Sequence, residues 1–223
     1  ASEPPPADCI TPPSGGIFVR TENRPAAPPQ NAPTRPMAQL PIVTYDDPVL
    51  SRTAEPIERL TDELRTLIED MFETMYEADG VGLAAPQVGR SIRLFVIDAD
   101  VLLEGEEDDP QALGQRVFIN PEIVHMDPET VEMEEGCLSL PGLRDTVSRS
   151  QAIRIRYLDH EMAPQELELD GWNARVVLHE YDHLDGVLFT DRLTAFRRAM
   201  HAQDLKKIRT GKMHADYPLA PKS

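Results

Sequence analysis

The chain of 223 residues carries a formal net charge of −17, and 40% of its residues are hydrophobic, which predicts one globular domain of ordinary size with some tail. The acidic balance argues against DNA binding and against anionic membranes, because both need a basic surface, and no apolar run approaches the ~20 residues that cross a bilayer. The two cysteines, Cys9 and Cys137, lie in very different surroundings and are too few for a disulfide framework, so a reduced, intracellular setting is expected.

The first 39 residues are rich in proline, as in EPPPAD, TPPSGG and RPAAPPQNAPTRP. Proline breaks helices and lacks the N–H that a strand ladder needs, and the stretch offers little to bury. We therefore predict a disordered tail over residues 1–39, a folded domain over residues 40–195, and a basic helix and tail over residues 196–223. A proline-rich ligand for a small recognition domain is the alternative for the first segment.

The folded part begins with a helical pattern. Apolar residues recur at steps of three and four from Pro56 to Ala78, which predicts an amphipathic helix that Asp79 and Gly80 end. Four later segments are predicted strands because they alternate or are rich in β-branched residues: SIRLFVIDA, RVFINPEIV, QAIRIRYLD and QELELDG. The acidic stretch from Glu104 to Asp109 is predicted to be a solvated insertion.

Two more helices are predicted near the end of the chain. One begins after Gly171 and ends at Gly186, and a further helical pattern follows from about Asp191 to Arg209. A helix, several strands and a helix that packs on them predict an α+β domain.

The helix before Gly186 contains VVLHEYDHLDG, in which His179 and His183 are four residues apart and Glu180 follows the first histidine. Residues at this spacing share one face of a helix, so both imidazoles can reach one cation with a carboxylate beside it. Many helices contain the pattern by chance, and a catalytic metal site needs a third protein ligand and an open position.

The position of a third ligand excludes two metalloprotease families. Metzincins have a third histidine where this chain has Phe189, and thermolysin-like enzymes use a downstream glutamate, whereas Glu180 is the last glutamate of the sequence. Cys137 in EEGCLSLPG is a candidate because thiolate binds divalent metals strongly, although most free cysteines are simply small buried thiols. Asp191 stays formally open.

Three motifs occur in order along the chain: GVGLAAPQ from Gly80, EGCLS around Cys137, and HEYDH from His179. Together they form the pattern of the peptide deformylases, and the chain resembles that family from about Tyr45 to Leu193. The resemblance implies metal-dependent removal of the N-formyl group from N-formylmethionyl peptides and nascent chains, with release of formate. It also implies a single α+β domain in which antiparallel sheets surround a central metal-binding helix, with a further helix at the C-terminal end.

The family's functional residues can be carried over position by position. The resemblance implies that Cys137, His179 and His183 hold the metal, with a water in the fourth place, and that Glu180 is the general base. Gln87 and the backbone N–H of Leu138 would bind the formyl oxygen. The remaining expected roles are substrate binding by Gly80, Val81, Gly82, Glu135 and Gly136, and the holding of outer-shell carboxylates by Arg144 and Arg149, with Glu135 as partner of one arginine.

The ligand set does not select one metal, since two histidines and a thiolate suit iron(II), zinc, nickel and cobalt. The resemblance implies Fe²⁺ as the native ion, with zinc, nickel or cobalt in purified samples. Two other functions stay open: a metallo-endopeptidase with a cleft open on both sides, and a non-catalytic domain that binds formylated chains. Glu180 and Gln87 argue against the last, because a structural metal site needs neither a base nor an oxyanion donor.

Between Ala195 and His214 the chain has six basic residues and one acid. The ordinary interpretation of such a segment is a solvated helical face. The alternative is that it docks on ribosomal RNA near emerging chains, because binding to RNA requires a basic segment on an otherwise acidic protein. The expected compartment is the bacterial cytoplasm, with an organelle as the alternative.

Overall fold

A computed structural model describes residues 38–99 and 113–222, so most of the predicted tail and the whole acidic insertion lie outside the described residues. The helices are α1 (Asp62–Glu77), α2 (Gly171–Leu184), α3 (Ala195–Met200) and α4 (Ala202–Arg209). The strands are β1 (Gly82–Ala84), β2 (Leu94–Asp98), β3 (Gln115–Met126), β4 (Thr130–Gly136), β5 (Arg144–Ser150), β6 (Ala152–Leu158) and β7 (Pro164–Asp170). No helix in these two ranges is long and apolar enough to span a bilayer.

Within the described ranges the strands form two antiparallel sheets. A five-stranded sheet has the order β1-β2-β3-β6-β7, and β4 pairs with β5 in a separate two-stranded sheet. Cross-strand pairs such as Phe95 opposite Phe118 and Ile153 opposite Leu169 place apolar side chains on a common face. The predicted α+β class with antiparallel sheets is thereby confirmed.

Helix α2 lies at the centre of this arrangement. Its residues are buried without a break from Asn173 to Glu180. Ala174, Val177 and Leu178 belong to the same apolar cluster as Phe95 and Phe118 of the large sheet. Because the apolar face of α2 packs on that sheet, its histidines are held on a rigid element.

Helix α1 begins later than the apolar pattern predicts. The pattern starts at Pro56, whereas the helix starts at Asp62, where the Thr61 side chain accepts a hydrogen bond from the N–H of Leu64 at 3.2 Å. Residues 56–61 lie outside the helix, because the Asn120 side chain bonds both the N–H and the carbonyl of Ile57, at 2.8 and 2.7 Å. A tertiary contact thus overrides the local helical spacing.

The hairpin of β4 and β5 is absent from the sequence prediction. Its strands read TVEMEEG and RDTVSRS, with little apolar alternation. The inward positions Glu135 and Arg149 are charged and pair with each other at 2.5 Å, so a hydrophobic pattern does not reveal the strands.

The C-terminal segment also differs from the single helix predicted to start near Asp191. The described residues form two short helices with a break at His201, whose Nε2 lies 2.7 Å from Asp145 Oδ2. Beyond α4 the chain returns to the N-terminal part of the domain, where Leu219 forms a parallel bridge with Ile42.

Candidate metal centre and active site

Cys137, His179 and His183 come together although they are far apart in the sequence. The ligand atoms of the three side chains all lie within 4.8 Å of one another. Cys137 directly follows β4, and the histidines stand one turn apart on α2. The Cys137 sulfur lies 3.3 Å from Nε2 of His183.

The surroundings of these side chains fit a divalent transition metal. Nδ1 of His179 lies 2.8 Å from Glu135 Oε2, which leaves the other ring nitrogen for the cluster. Burial lowers the pKa of His179, but its contacts with Cys137 and Glu135 outweigh burial and raise the value to about 10. Burial keeps the pKa of His183 well below its usual value, which favours the neutral, metal-binding form of the ring. One thiol and two imidazoles form a suitable donor set for such an ion.

Glu180 stands beside the cluster. Burial raises the pKa of its carboxyl to about 7, and no donor among the described residues bonds its Oε2. A carboxylate that can hold or release a proton near neutral pH is suited to acid–base catalysis.

Gln87 is held with its amide nitrogen toward the cysteine. The side-chain Oε1 accepts a hydrogen bond from the N–H of Ala84 at 2.8 Å, and Nε2 lies 3.5 Å from the Cys137 sulfur. The side chain is 1% exposed. The amide N–H₂ is therefore a preorganised donor at the edge of the cluster.

These groups, apart from His183, line a cavity of about 370 Å³. Most of the predicted site residues line it: Val81, Gly82, Gln87, Glu135, Gly136, Cys137, Leu138, Arg144, His179 and Glu180. Val81, Trp172 and Val176 supply an apolar wall. Gly80, Arg149 and His183 are not in the lining.

A buried charge network supports the cluster from behind. Glu135 accepts hydrogen bonds from Arg149 at 2.5 and 2.9 Å, and Asp182 accepts one from Arg149 at 2.7 Å. Burial alone would raise the pKa of Glu135, but Arg149 and His179 hold it well below the usual value. The carboxylate therefore stays ionised and fixes the His179 ring.

A family model described as Polypeptide deformylase matches residues 39–199. The chain belongs to this family. The identification made from the three motifs is thereby confirmed, and the match stops before α4 and the C-terminal tail.

The alignments of this chain with relatives in the peptide deformylase family span nearly the whole length of those relatives. The peptide deformylase of Salinibacter ruber is 50% identical over 188 residues, which span 82% of this chain and 95% of that protein. The peptide deformylase of Chlorobaculum tepidum is 44% identical over 181 residues, which span 81% and 94%.

Solved structures of the family share the fold. The crystal structure of the Thermotoga maritima peptide deformylase, 44% identical, aligns with a TM-score of 0.64 over 70% of this chain and 99% of that one. The Ehrlichia chaffeensis peptide deformylase in complex with actinonin, 38% identical, aligns with a TM-score of 0.71 over 80% and 100%.

The structure assigns the two predicted arginines to different places. Arg149 binds Glu135, but the Arg144 side chain is 70% exposed at the mouth of the deformylase cavity and lies 3.7 Å from Glu134, which is also exposed. The second arginine on Glu135 is Arg175 of α2, at 2.8 Å. Sequence reasoning missed Arg175, and a basic residue on the buried face of a helix is the signal that could have identified it.

Proposed function

We propose that the chain is a metal-dependent peptide deformylase that removes the N-formyl group from N-formylmethionyl peptides and releases formate. The observation that carries the proposal is the convergence of Glu180 and Gln87 on the cluster of Cys137, His179 and His183, beside one cavity that all of them except His183 line. A structural metal site needs neither a base nor an amide donor beside its ligands.

The residues of the chain divide the work of hydrolysis. Cys137, His179 and His183 would hold a divalent ion, which when bound polarises the formyl carbonyl and makes water more acidic. Glu180 takes a proton from the attacking water and returns it to the departing amine. The formyl carbon gains the water oxygen, its C–N bond breaks, and formate leaves.

Two donors stabilise the charge that develops on the formyl oxygen. They are the Gln87 amide and the backbone N–H of Leu138, and a donor of this kind contributes on the order of 3 kcal/mol to the transition state. The Leu138 N–H makes no hydrogen bond with the described residues, and Leu138 lines the cavity. It is therefore available to substrate.

The substrate peptide is proposed to lie along the segment from Gly80 to Gly82 as an added strand, since β1 is at the edge of its sheet. Glu135 and Gly136 line the cavity on the side of the β4–β5 hairpin. The wall of Val81, Trp172 and Val176 would take the methionine side chain. Limited room near the ligands would admit a formyl group and reject acetyl.

We propose Fe²⁺ as the native ion, with zinc, nickel or cobalt as functional substitutes, because soft sulfur and imidazole donors suit all four. The compartment we propose is the bacterial cytoplasm, where formylated chains are made. Anaerobic purification with metal analysis tests the first assignment, and a preparation from the native host that holds zinc alone would contradict it.

Hydrolysis of formyl-Met-Ala-Ser and acetyl-Met-Ala-Ser tests the proposed reaction. We expect formate from the first peptide and no cleavage of the second. Glu180→Gln should lower kcat by at least about 100-fold with metal content unchanged, because general acid–base catalysis contributes that much. Cleavage within the peptide, or full activity of Glu180→Gln, would contradict the proposal.

We also propose that the basic C-terminal segment contacts ribosomal RNA. Some of its cations are engaged within the protein, since Arg198 pairs with Asp191 at 2.8 Å and Lys207 with Asp204 at 2.7 Å. Lys206, Arg209 and Lys212 form no ion pair with the described residues, and they are exposed. Their charge is thus available for phosphates.

Charge reversal tests this contact more sharply than truncation, because the residues beyond α4 pack on the domain. The triple variant Lys206→Glu, Arg209→Glu, Lys212→Glu should lose co-sedimentation with ribosomes and keep wild-type hydrolysis of the short peptide. Wild-type binding should weaken as salt rises. Equal binding by both proteins, or binding independent of salt, would contradict the contact.

A further inference from the structure

The C-terminal tail, residues 213–222, reaches the active-site cavity. Tyr217 lines the cavity, and its hydroxyl donates a hydrogen bond to the carbonyl of Leu138 at 2.8 Å. The two residues are 79 positions apart in the chain. The tail lies outside all three motifs, and the mechanism above assigns it no role.

The tail also covers the loop from Cys137 to Leu143. Met213 packs in the same apolar cluster as Leu140 and Leu143. A Cβ on Gly142 would lie 3.3 Å from the Met213 methyl carbon, so the approach is close. The loop that carries Leu138 is therefore pressed between the tail and the body of the domain.

One short segment links the tail to both proposed oxyanion donors. Pro218 and Ala220 bond the backbone of Ile42 at 2.9 and 2.8 Å. In the same segment, the N–H of Val43 donates to the Gln87 carbonyl at 2.8 Å, and that of Tyr45 donates to the Ser139 carbonyl at 2.9 Å. The residues next to Ile42 thus hold the turn of Gln87 and the loop of Leu138.

The hydroxyl of Tyr217 is well suited to fix a peptide. Burial raises the pKa of this phenol, and the nearby Cys137 sulfur raises it further, so it stays a protonated donor. Tyrosine has only two side-chain torsions, so little entropy is lost when it is held. Among the described residues it is the one side chain that bonds the backbone of Leu138.

We propose that Tyr217 is a positioning residue for deformylation: its hydroxyl fixes the Leu138 carbonyl and so restrains one side of Leu138, while the Leu140 N–H holds the Cys137 carbonyl on the other side at 2.9 Å, and together they keep the Leu138 N–H directed into the cavity. The proposal rests on the function proposed above. A preorganised donor stabilises the transition state without reorganisation, and a donor that can rotate does so less well. Tyr217 acts through Leu138 and needs no contact with the reacting atoms.

Tyr217→Phe removes only the hydroxyl and is the direct test in the metal-loaded full chain. We expect kcat for formyl-Met-Ala-Ser to fall by about five- to tenfold with KM changed less than about twofold, since loss of an entire oxyanion donor costs about 100-fold or more. The matched control is Tyr76→Phe. It removes a phenol hydroxyl that donates to Asp98 Oδ2 at 2.5 Å, and Tyr76 does not line the cavity. The control should keep the wild-type kcat.

Backbone dynamics give a readout that is independent of turnover. In zinc-loaded protein labelled with ¹⁵N-leucine, the NMR order parameter of the Leu138 amide should be lower in Tyr217→Phe than in the wild type and Tyr76→Phe. Unchanged kcat and an unchanged order parameter in Tyr217→Phe would overturn the proposal, as would an equal loss of kcat in Tyr76→Phe. If the wild type released no formate, the proposed reaction would fail, and the order parameters would still decide whether Tyr217 fixes Leu138.

Discussion

At the scale of one residue, Gly82 shows why a position next to the active site must be glycine, which has no side chain. A Cβ built on Gly82 would lie 2.5 Å from Oε1 of Glu180 and 2.8 Å from its Cδ. Real Cβ atoms essentially never approach that closely. Because Glu180 is only 4% exposed on α2, an added methyl group must displace either the carboxylate or β1.

We therefore expect Gly82→Ala to impair catalysis by displacing the neighbouring carboxylate of Glu180. The variant should lower kcat by about 100-fold, which is the scale of a lost general base, and should keep its metal content because it contacts no ligand. Steady-state deformylation together with metal analysis measures both effects.

Gly82→Ala in a Glu180→Ala background provides the control. With the carboxylate gone, the clash is gone, so the free energy of unfolding lost to Gly82→Ala should be small there and larger in the wild type. The same loss in both backgrounds would show that the strain lies in β1 and not at Glu180.

At the scale of elements, the β4–β5 hairpin is joined to α2 by charge as well as by apolar packing. Arg175 bonds the carbonyls of Val131 in β4 and Val147 in β5, at 2.6 and 2.8 Å, and also the carboxylate of Glu135. Removing one partner of a buried ion pair leaves a buried charge and unsatisfied carbonyls.

Arg175→Met should therefore lower the free energy of unfolding by about 3–5 kcal/mol. Arg144→Met, on the same hairpin but 70% exposed, is the matched control and should change it by less than about 0.5 kcal/mol. Urea unfolding of both variants decides. Similar values for the two would mean that the buried network does not join the hairpin to the helix.

The turn between β6 and β7 depends on one ionised carboxylate. Asp159 accepts hydrogen bonds from the N–H groups of Glu161 and Ala163, both at 2.9 Å, and from the Gln165 amide at 2.8 Å. Burial raises the pKa of Asp159, but these donors outweigh burial and lower it below its usual value.

A lowered pKa fixes the sign of the pH effect. The stabilising contribution is fully present above the unfolded pKa of about 3.9 and is lost as pH falls through the lower folded value. Asp159→Asn should thus be less stable than the wild type by about 1 kcal/mol at pH 7, and the difference should shrink below about pH 4. Melting curves from pH 7 to pH 3 measure it, and a difference that grew in acid would contradict the assignment.

These elements also show what local patterns can predict. Helix α2 and four strands of the large sheet follow local patterns: β2, β3, β6 and β7 overlap the segments predicted from the sequence, whereas the three-residue β1 is not predicted as a strand. Helix α1 is overextended in the prediction because Asn120, far away in the chain, holds Ile57. The β4–β5 hairpin could not be predicted from apolar alternation, because its inward positions Glu135 and Arg149 are charged and form an ion pair with each other.

At the scale of the whole molecule, proximity in space was predictable only where a motif marks it. Cys137 and the histidines are linked by three ordered motifs, whereas Tyr217 meets Leu138 across 79 positions with no local signature. Conversely, a motif can suggest a contact that does not form. Arg144 is a candidate partner of Glu135 from its position in the sequence, but its exposed side chain lies near Glu134 at the cavity mouth.

The metal site joins parts of the molecule that no continuous element connects. Cys137 directly follows β4 of the small sheet, while His179 and His183 belong to the helix that packs on the large sheet. An ion bound only by the folded state stabilises it by RT ln(1 + [L]/Kd), about 4 kcal/mol at a free concentration 1,000 times Kd. Chelation should therefore lower Tm, and zinc added back should restore it. His183→Ala keeps the fold's apolar contacts but loses a ligand, so chelator should change its Tm far less. Calorimetry of both proteins with and without chelator decides, and an equal drop in each would locate the stabilising ion elsewhere.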